Sequence, residues 1–262
     1  MGGTFAGLYA IMIREHMRLY GTTEEQFAHV AVKNRRNAAA NPFAHKGMTI
    51  TVDDVLSSPP VAEPYKLLDC SLLSDGAAAV ILSTAAWARE HSENFATRPP
   101  VALVGTGTAT DSARLGDRRR PNPGIAHFGA KRLAAKEAYR MAGITDPGAD
   151  IDVAEVYDSF SGAELQAYED LGFCPRGEGG PAATEGRFDH GGRLPVNPSG
   201  GLIGQGGAVG ATGIAQAVEI MTHLRGEAGG RQVEGARRGL TDTHAGVGTH
   251  CVVNIFERQD QA

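Results

Sequence analysis

Between Asn197 and Gly213 the sequence NPSGGLIGQGGAVGATG places seven glycines in seventeen positions and runs straight into the helix-like stretch IAQAVEIMTHLRG. Glycine reaches positive φ and lets a backbone approach another group, because no Cβ stands in the way. Set before a helix, such a loop directs unpaired amides and the positive end of the helix dipole at one spot, which suits an anion or an acyl oxygen. A tight strand-to-helix connection that needs room for close packing accounts for the glycines equally well, and both readings stay open. Nucleotide motifs fit worse: counting from Gly204, Val209 stands where the third glycine of G-x-G-x-x-G belongs, and no Gly-Lys-Ser/Thr follows. The three cysteines, Cys70, Cys174 and Cys251, are odd in number and far apart, so they give neither a disulfide framework nor a metal spacing. Each reads as a small buried hydrophobe.

The elements that would position this loop follow from periodicity and caps. LYAIMIREHMRLYG predicts a helix ending at Gly21, and Thr23 with Gln26 predicts a capping box that opens a second helix closing before Pro42. A Pro- and Ser-rich connection with one short helical turn after Thr51 comes next. GAAAVILST (76–84) reads as a buried strand entering the helix AAWAREH. From 101 onward a strand, a long loop, a helix and the strand DIDVAEVYD alternate, and Ser161 with Glu164 suggests another capping box. GARRGLTDTH and THCVVNIFER, separated by AGVG, predict an antiparallel hairpin. The fold class is therefore α/β, with helices on both faces of a sheet. In the helix after the glycines, Ile214, Val218, Met221 and Leu224 form the expected core-facing stripe, with Gln216, Glu219, Thr222 and His223 elsewhere.

The chain has 262 residues, a formal net charge of −5 and 42% hydrophobic residues, enough for a real core. Its basic residues are scattered apart from DRRRPNPG at 117–124, so nucleic acid is not an expected partner. No apolar run reaches the ~20 residues of a membrane span, so no membrane is expected. Nothing resembles a signal peptide at the start, which makes the cytoplasm the expected location.

Three stretches, in order, resemble the thiolase superfamily. NPSGGLIGQGGAVGATGIAQAVEIMTHLRG resembles the C-terminal signature, whose usual form is an Asn-x-x-Gly-Gly run followed by G-H-P-x-G-A-T-G and a helix. LLDCSLLSDGAAAVIL resembles the segment closing the N-terminal half, and AEVYDSFSGAELQAYEDLG sits where the family carries N-E-A-F or H-D-C-F. The branch it resembles is that of the sterol-carrier or lipid-transfer-protein thiolases, including the retro-aldolases of steroid side-chain degradation. This resemblance implies a thiolase-like layered α/β/α fold, incomplete here. Residues 1–97 would be the end of the N-terminal half with part of the loop domain, and 98–262 the C-terminal domain, with the first four strands absent.

The resemblance also implies a site and a set of departures from the family. The family's N-terminal cysteine nucleophile has no counterpart among the three cysteines here. Tyr157 takes the first place of the H-D-C-F motif, where a phenol can donate to an oxyanion or protonate an enolate. Gly207 replaces the histidine of G-H-P, which leaves the backbone amides around Gly206 and Gly207 to bind a carbonyl oxygen. His244 falls at or beside the position of the family's second catalytic cysteine, where an imidazole can shuttle a proton. Asp158 and Asn197 are candidates for orienting the site. The implied activity is making or breaking a C–C bond beside an acyl-CoA carbonyl, with retro-aldol favoured over acyl transfer; the alternative is a catalytically inactive scaffold or acyl-CoA-binding subunit. No bound cofactor or metal is expected, coenzyme A thioester entering as substrate. A homo-oligomer or a thiolase-like partner chain is expected, with an OB-fold and zinc-ribbon protein as a further partner by analogy.

Overall fold

The computed structural model describes residues 3–91, 100–118 and 124–259. The expected domain boundary between 97 and 98, and Arg119 and Arg120 of the basic cluster, lie outside the described residues. Helices α1 (Phe5–Tyr20) and α2 (Glu24–Ala39) form the expected pair. Thr4 caps α1, Gly21 closes it at φ 72°, and Thr23 with Gln26 makes the reciprocal capping box on α2. The short helix α3 (Val52–Ser57), held by Thr51 and Asp54, leads into a small hairpin of β1 (Pro60–Ala62) and β2 (Tyr65–Lys66).

The strand expected at 76–84 does not form; the chain runs irregularly up to α4 (Ala85–His91), which Thr84 caps through the Trp87 amide at 3.2 Å. A strand needs a ladder partner, and among the described residues none lies beside this segment. Its apolar residues consequently face outward, Ile81 at 93% and Leu82 at 76% exposure.

The remaining elements are β3 (Val101–Thr110), α5 (Gly129–Ala142), α6 (Pro147–Asp150), β4 (Val153–Glu155), α7 (Ser161–Asp170), α8 (Gly179–Thr184), α9 (Gly201–Gly204), α10 (Thr212–Arg225), β5 (Arg238–Ala245) and β6 (His250–Arg258). The strands form one sheet in the order β3-β6-β5-β4, with β4 and β5 parallel and the other pairs antiparallel, including the expected β5–β6 hairpin. Strand alternation gives the sheet two apolar faces. Ala154, Val253 and Ile255 meet the alanines of α5, and Val153 and Phe256 meet Ala217, Ile220 and Leu224 of α10. The α5 side is very close: a Cβ on Gly107 would stand 1.9 Å from the Ala134 carbonyl oxygen. Gly107→Ala should therefore lower stability by about 1–3 kcal/mol, read from thermal denaturation, because helix and strand must separate.

Two local expectations are corrected. Ser161 and Glu164 make no capping box; Phe160 occupies the N-cap without a side-chain bond, Ser161 donates to Asp69 at 2.6 Å, and Glu164 is fully buried. In α10, Ile214 and Val218 point outward, and the buried face carries Gln216, Ala217, Glu219, Ile220, His223 and Leu224. Polar residues can hold that face because they find partners there: Gln216 donates to the Asp242 carbonyl, Glu219 accepts from Arg231, and His223 accepts from the Val233 amide.

Candidate active site

Because β4 and β5 run parallel, their C-terminal ends open on the same side of the sheet, the usual place for a ligand site in an open α/β sheet. Tyr157 follows β4 and His244 closes β5, and their rings meet with centroids 4.6 Å apart. A second phenol joins them. Tyr9, on the buried face of α1, bonds His244 Nε2 at 2.6 Å, donates to the Gly246 carbonyl at 3.3 Å and accepts from Ser159 at 3.3 Å. Phe128 stacks on His244 and Phe160 meets Tyr9 at a tilt, closing the apolar walls. Tyr157 alone of the three is only half-buried. The sequence reading missed Tyr9; its one signal was a tyrosine inside the apolar stripe of α1.

Burial sets the protonation of the trio. It pulls His244, with help from the charges of Lys131 and Arg118, well below the ordinary 6.5 of histidine. Burial, then the carboxylate of Asp158, raises Tyr157, and burial raises Tyr9 as well. All three are neutral at physiological pH, and His244 Nδ1 has no hydrogen-bond partner. An unfolded chain takes up a proton at His244 as pH falls through about 6.5, and the folded chain does not. The stability present above that pH declines below it, by at most about 1.4 kcal/mol per pH unit, and His244→Phe should flatten the slope in denaturant titrations at about pH 7 and about pH 5.

The support beneath this cluster is polar and buried. The Lys131 ammonium bonds Asp242 at 2.5 Å, and Asp242 accepts the Tyr157 amide at 3.4 Å. Asn197, at φ 54°, accepts the Val156 amide at 2.8 Å and donates to Glu164 at 2.6 Å. Asp158 accepts the amides of Leu202 at 2.6 Å and Ile203 at 3.1 Å, and Asn34 at 2.8 Å. Burial and the adjacent Glu164 push its carboxyl up to about 8. The group that the glycine stretch receives is thus supplied from inside the chain: Gly201, at φ 57°, lets its backbone lie against the Asp158 carboxyl group, where a Cβ would stand 2.4 Å from Oδ2. Asp158 and Asn197 hold the backbone on which Tyr157 sits and touch no open space.

The amides of Gly206 and Gly207 differ from their expected role. Gly206 donates to the Gly201 carbonyl at 3.3 Å and Gly207 to the Leu72 carbonyl at 3.0 Å, so the first is spent within the stretch and the second on tying it to residues 71–76. A cavity of about 690 Å³ lies beside Gly206, walled by Ser74, Gly76, Gln216, Glu219 and Arg231, but neither Tyr157 nor His244 lines it. The Cys70 thiol is pushed up by burial to about 11, and those of Cys174 and Cys251 to about 12, so none is a thiolate at neutral pH.

Sheet, glycine stretch and strand-end cluster together define a thiolase-type domain. The family profile of thiolase C-terminal domain-like proteins matches residues 111–258, more than half of the chain, and the chain belongs to the thiolase superfamily, in its sterol-carrier-type branch. It is 49% identical over 257 residues to an acetyl-CoA acetyltransferase of Methanothermobacter thermautotrophicus, covering 98% of this chain and 64% of that protein. It is 38% identical over 245 residues to sterol carrier protein 2 of Bos taurus, covering 93% of this chain and 44% of that one. The solved Ltp2-ChsH2(DUF35) aldolase superposes with a TM-score of 0.83 at 28% identity, over 99% of this chain and 65% of that one. A monomeric SCP2-thiolase-like protein of Mycobacterium smegmatis, at 18% identity and TM-score 0.70, shares the fold over 99% of this chain and 53% of its own. The chain thus spans less than two thirds of the length of these relatives. Among the described residues no helix is long and apolar enough to cross a membrane.

Proposed function

We propose that the chain acts on acyl-CoA thioesters and makes or breaks a C–C bond beside the thioester carbonyl, in the retro-aldol sense, by acid–base catalysis at Tyr157 and His244. The observation that carries this proposal is the contact of a half-exposed phenol with a neutral imidazole whose Nδ1 is free, in a chain whose three thiols are all pushed up. With Tyr9 donating to the Gly246 carbonyl, His244 Nε2–H donates to Tyr9 and Nδ1 keeps its lone pair, a tautomer assigned from the network. A β-hydroxyacyl-CoA would pass its hydroxyl proton to Nδ1 of His244. The Cα–Cβ bond then breaks, its electron pair moves into the thioester as an enolate, and the Tyr157 hydroxyl protonates Cα. The products are a carbonyl compound and a shortened acyl-CoA, and the proton on His244 returns to Tyr157. The superposition on an aldolase supports the direction of this chemistry. Incubation of the purified protein with β-hydroxyacyl-CoA, alone and with a thiolase-like partner chain, tests it: release of shortened acyl-CoA supports the proposal, and its absence in both mixtures overturns it.

One observation favours a second reading, a non-catalytic acyl-CoA-binding or scaffold subunit: the cavity of about 690 Å³ is not walled by the acid–base pair. Stoichiometric binding of a CoA thioester without turnover would mark that case. Either role suits association, because Ile81, Leu82, Trp87, Val209 and Ile214 leave apolar surface in the open. Light scattering should give a mass above that of one 27.5 kDa chain, and a stable monomer would contradict this.

A further inference from the structure

Away from the strand-end cluster, four buried polar side chains from three parts of the chain gather, and His16 Nε2 and Glu169 Oε2 among them are hydrogen-bonded to each other at 3.0 Å. His16 lies on α1, His127 just before α5, and Glu169 and Asp170 at the end of α7; none is more than 6% exposed. Each is tied outward by one atom. His16 Nδ1 meets the Thr22 hydroxyl at 2.9 Å, His127 Nε2 meets the Tyr20 hydroxyl at 2.9 Å, Glu169 Oε1 accepts the Gly179 amide at 3.0 Å, and Asp170 Oδ2 accepts the Phe128 amide at 2.6 Å. The second atoms of His16, His127 and Glu169 then face one another, and that of Asp170 faces His127. His16 Nε2 is 3.0 Å from Glu169 Oε2, His127 Nδ1 is 3.9 Å from that same oxygen, and Asp170 Oδ1 is 3.2 Å from His127 Nδ1.

Two of these inward atoms, His127 Nδ1 and Asp170 Oδ1, lack any hydrogen-bond partner, because their mutual approach is off the line of a hydrogen bond. A buried polar atom left in that state costs free energy unless something else binds it. The donors of His16, His127 and Glu169 lie within 4.8 Å of one another. Ligands of a tetrahedral zinc ion, each about 2.0–2.2 Å from the metal, stand roughly 3.3 Å apart.

We propose that His16 Nε2, His127 Nδ1 and Glu169 Oε2 form the core of a structural zinc site, with Asp170 Oδ1, which lies 3.2 Å from His127 Nδ1, turning in as the fourth donor. The chemistry selects the ion. Two imidazoles disfavour magnesium and calcium, and the lack of a sulfur donor disfavours copper(I). Two carboxylates and two neutral imidazoles neutralise a divalent cation, which a buried site demands. Four protein donors leave the ion closed to substrate, as in structural sites, and the outward hydroxyls of Thr22 and Tyr20 orient the rings. Such an ion would clamp α1, which carries Tyr9, to α7 and to the segment leading into α5. No motif announced it, because the donors are spread from 16 to 170 in the sequence.

The full chain, stripped with chelator and dialysed, is titrated with zinc chloride by calorimetry and with cobalt(II) by visible absorption. The site requires one zinc per chain, the intense bands of four-coordinate cobalt(II), and a thermal midpoint raised by roughly 5 °C at saturating zinc. Glu169→Gln and His127→Gln should each weaken binding at least about tenfold. Should either variant fail to fold, the stripped wild-type chain decides by itself. A folded wild-type chain that binds no stoichiometric zinc and leaves cobalt(II) octahedral, or variants that bind as well as wild type, would overturn the proposal and leave a cluster held by histidine–carboxyl contacts alone.

Discussion

Tyr157→Phe should lower kcat/KM for cleavage of a β-hydroxyacyl-CoA by about 10²–10³-fold, the range expected for losing a positioned general acid. The change removes one oxygen and keeps the ring against His244. Within the described structure that hydroxyl makes no hydrogen bond to the protein, so the thermal midpoint should stay near the wild-type value. A loss of activity with intact stability separates a catalytic phenol from a packing phenol. His244→Ala should be as severe for activity and worse for stability, because it empties a space closed by Tyr9, Phe128 and Tyr157.

Glu164→Leu should be the most damaging single change to stability, about 3–5 kcal/mol by chemical denaturation. Its carboxylate pairs with Lys33 at 2.7 Å, accepts from Asn34 and Asn197 at 2.6 Å each, and takes the Tyr168 hydroxyl. Removing it leaves the Lys33 ammonium buried without its counter-charge, although one bond to the Val196 carbonyl at 2.6 Å remains. The effect reaches the site through Asn197, whose amide oxygen holds the backbone just before Tyr157. Glu164→Gln, which keeps the shape and loses the charge, should cost less than the leucine variant. Equal losses would show that packing, and not charge, holds the network.

Glu164 also shows where a sequence stops being informative. Three residues after a serine and ahead of apolar residues, it has the local signature of a cap, and only Lys33, Asn34 and Asn197, distant in the chain, turn it inward. Local signals carried what is local: the Thr23–Gln26 box, the Gly21 stop and the β5–β6 hairpin form as their residues dictate. The segment 76–84 has every mark of a strand except a neighbour to pair with. The buried side of α10 was hidden because Gln216, Glu219 and His223 become core residues only once Asp242, Arg231 and Val233 meet them. At the site, the meeting of Tyr157 and His244 was legible through family motifs. Tyr9 was not, because a tyrosine in a helical apolar stripe looks the same whether its hydroxyl meets a histidine or water. The glycine stretch was legible as a turn for an anion, an acyl oxygen or close packing, and what its amides at Leu202 and Ile203 receive is the Asp158 carboxyl group of the same chain.

The acid–base account is tested most directly by proton exchange at Cα of an acyl-CoA in deuterated water, followed by mass spectrometry, since it needs only enolate formation and reprotonation. The account requires deuterium to enter Cα in the presence of the wild-type chain and to slow by at least about tenfold with Tyr157→Phe and with His244→Ala. Wild-type exchange no faster than in buffer, or exchange that both variants leave untouched, would contradict it.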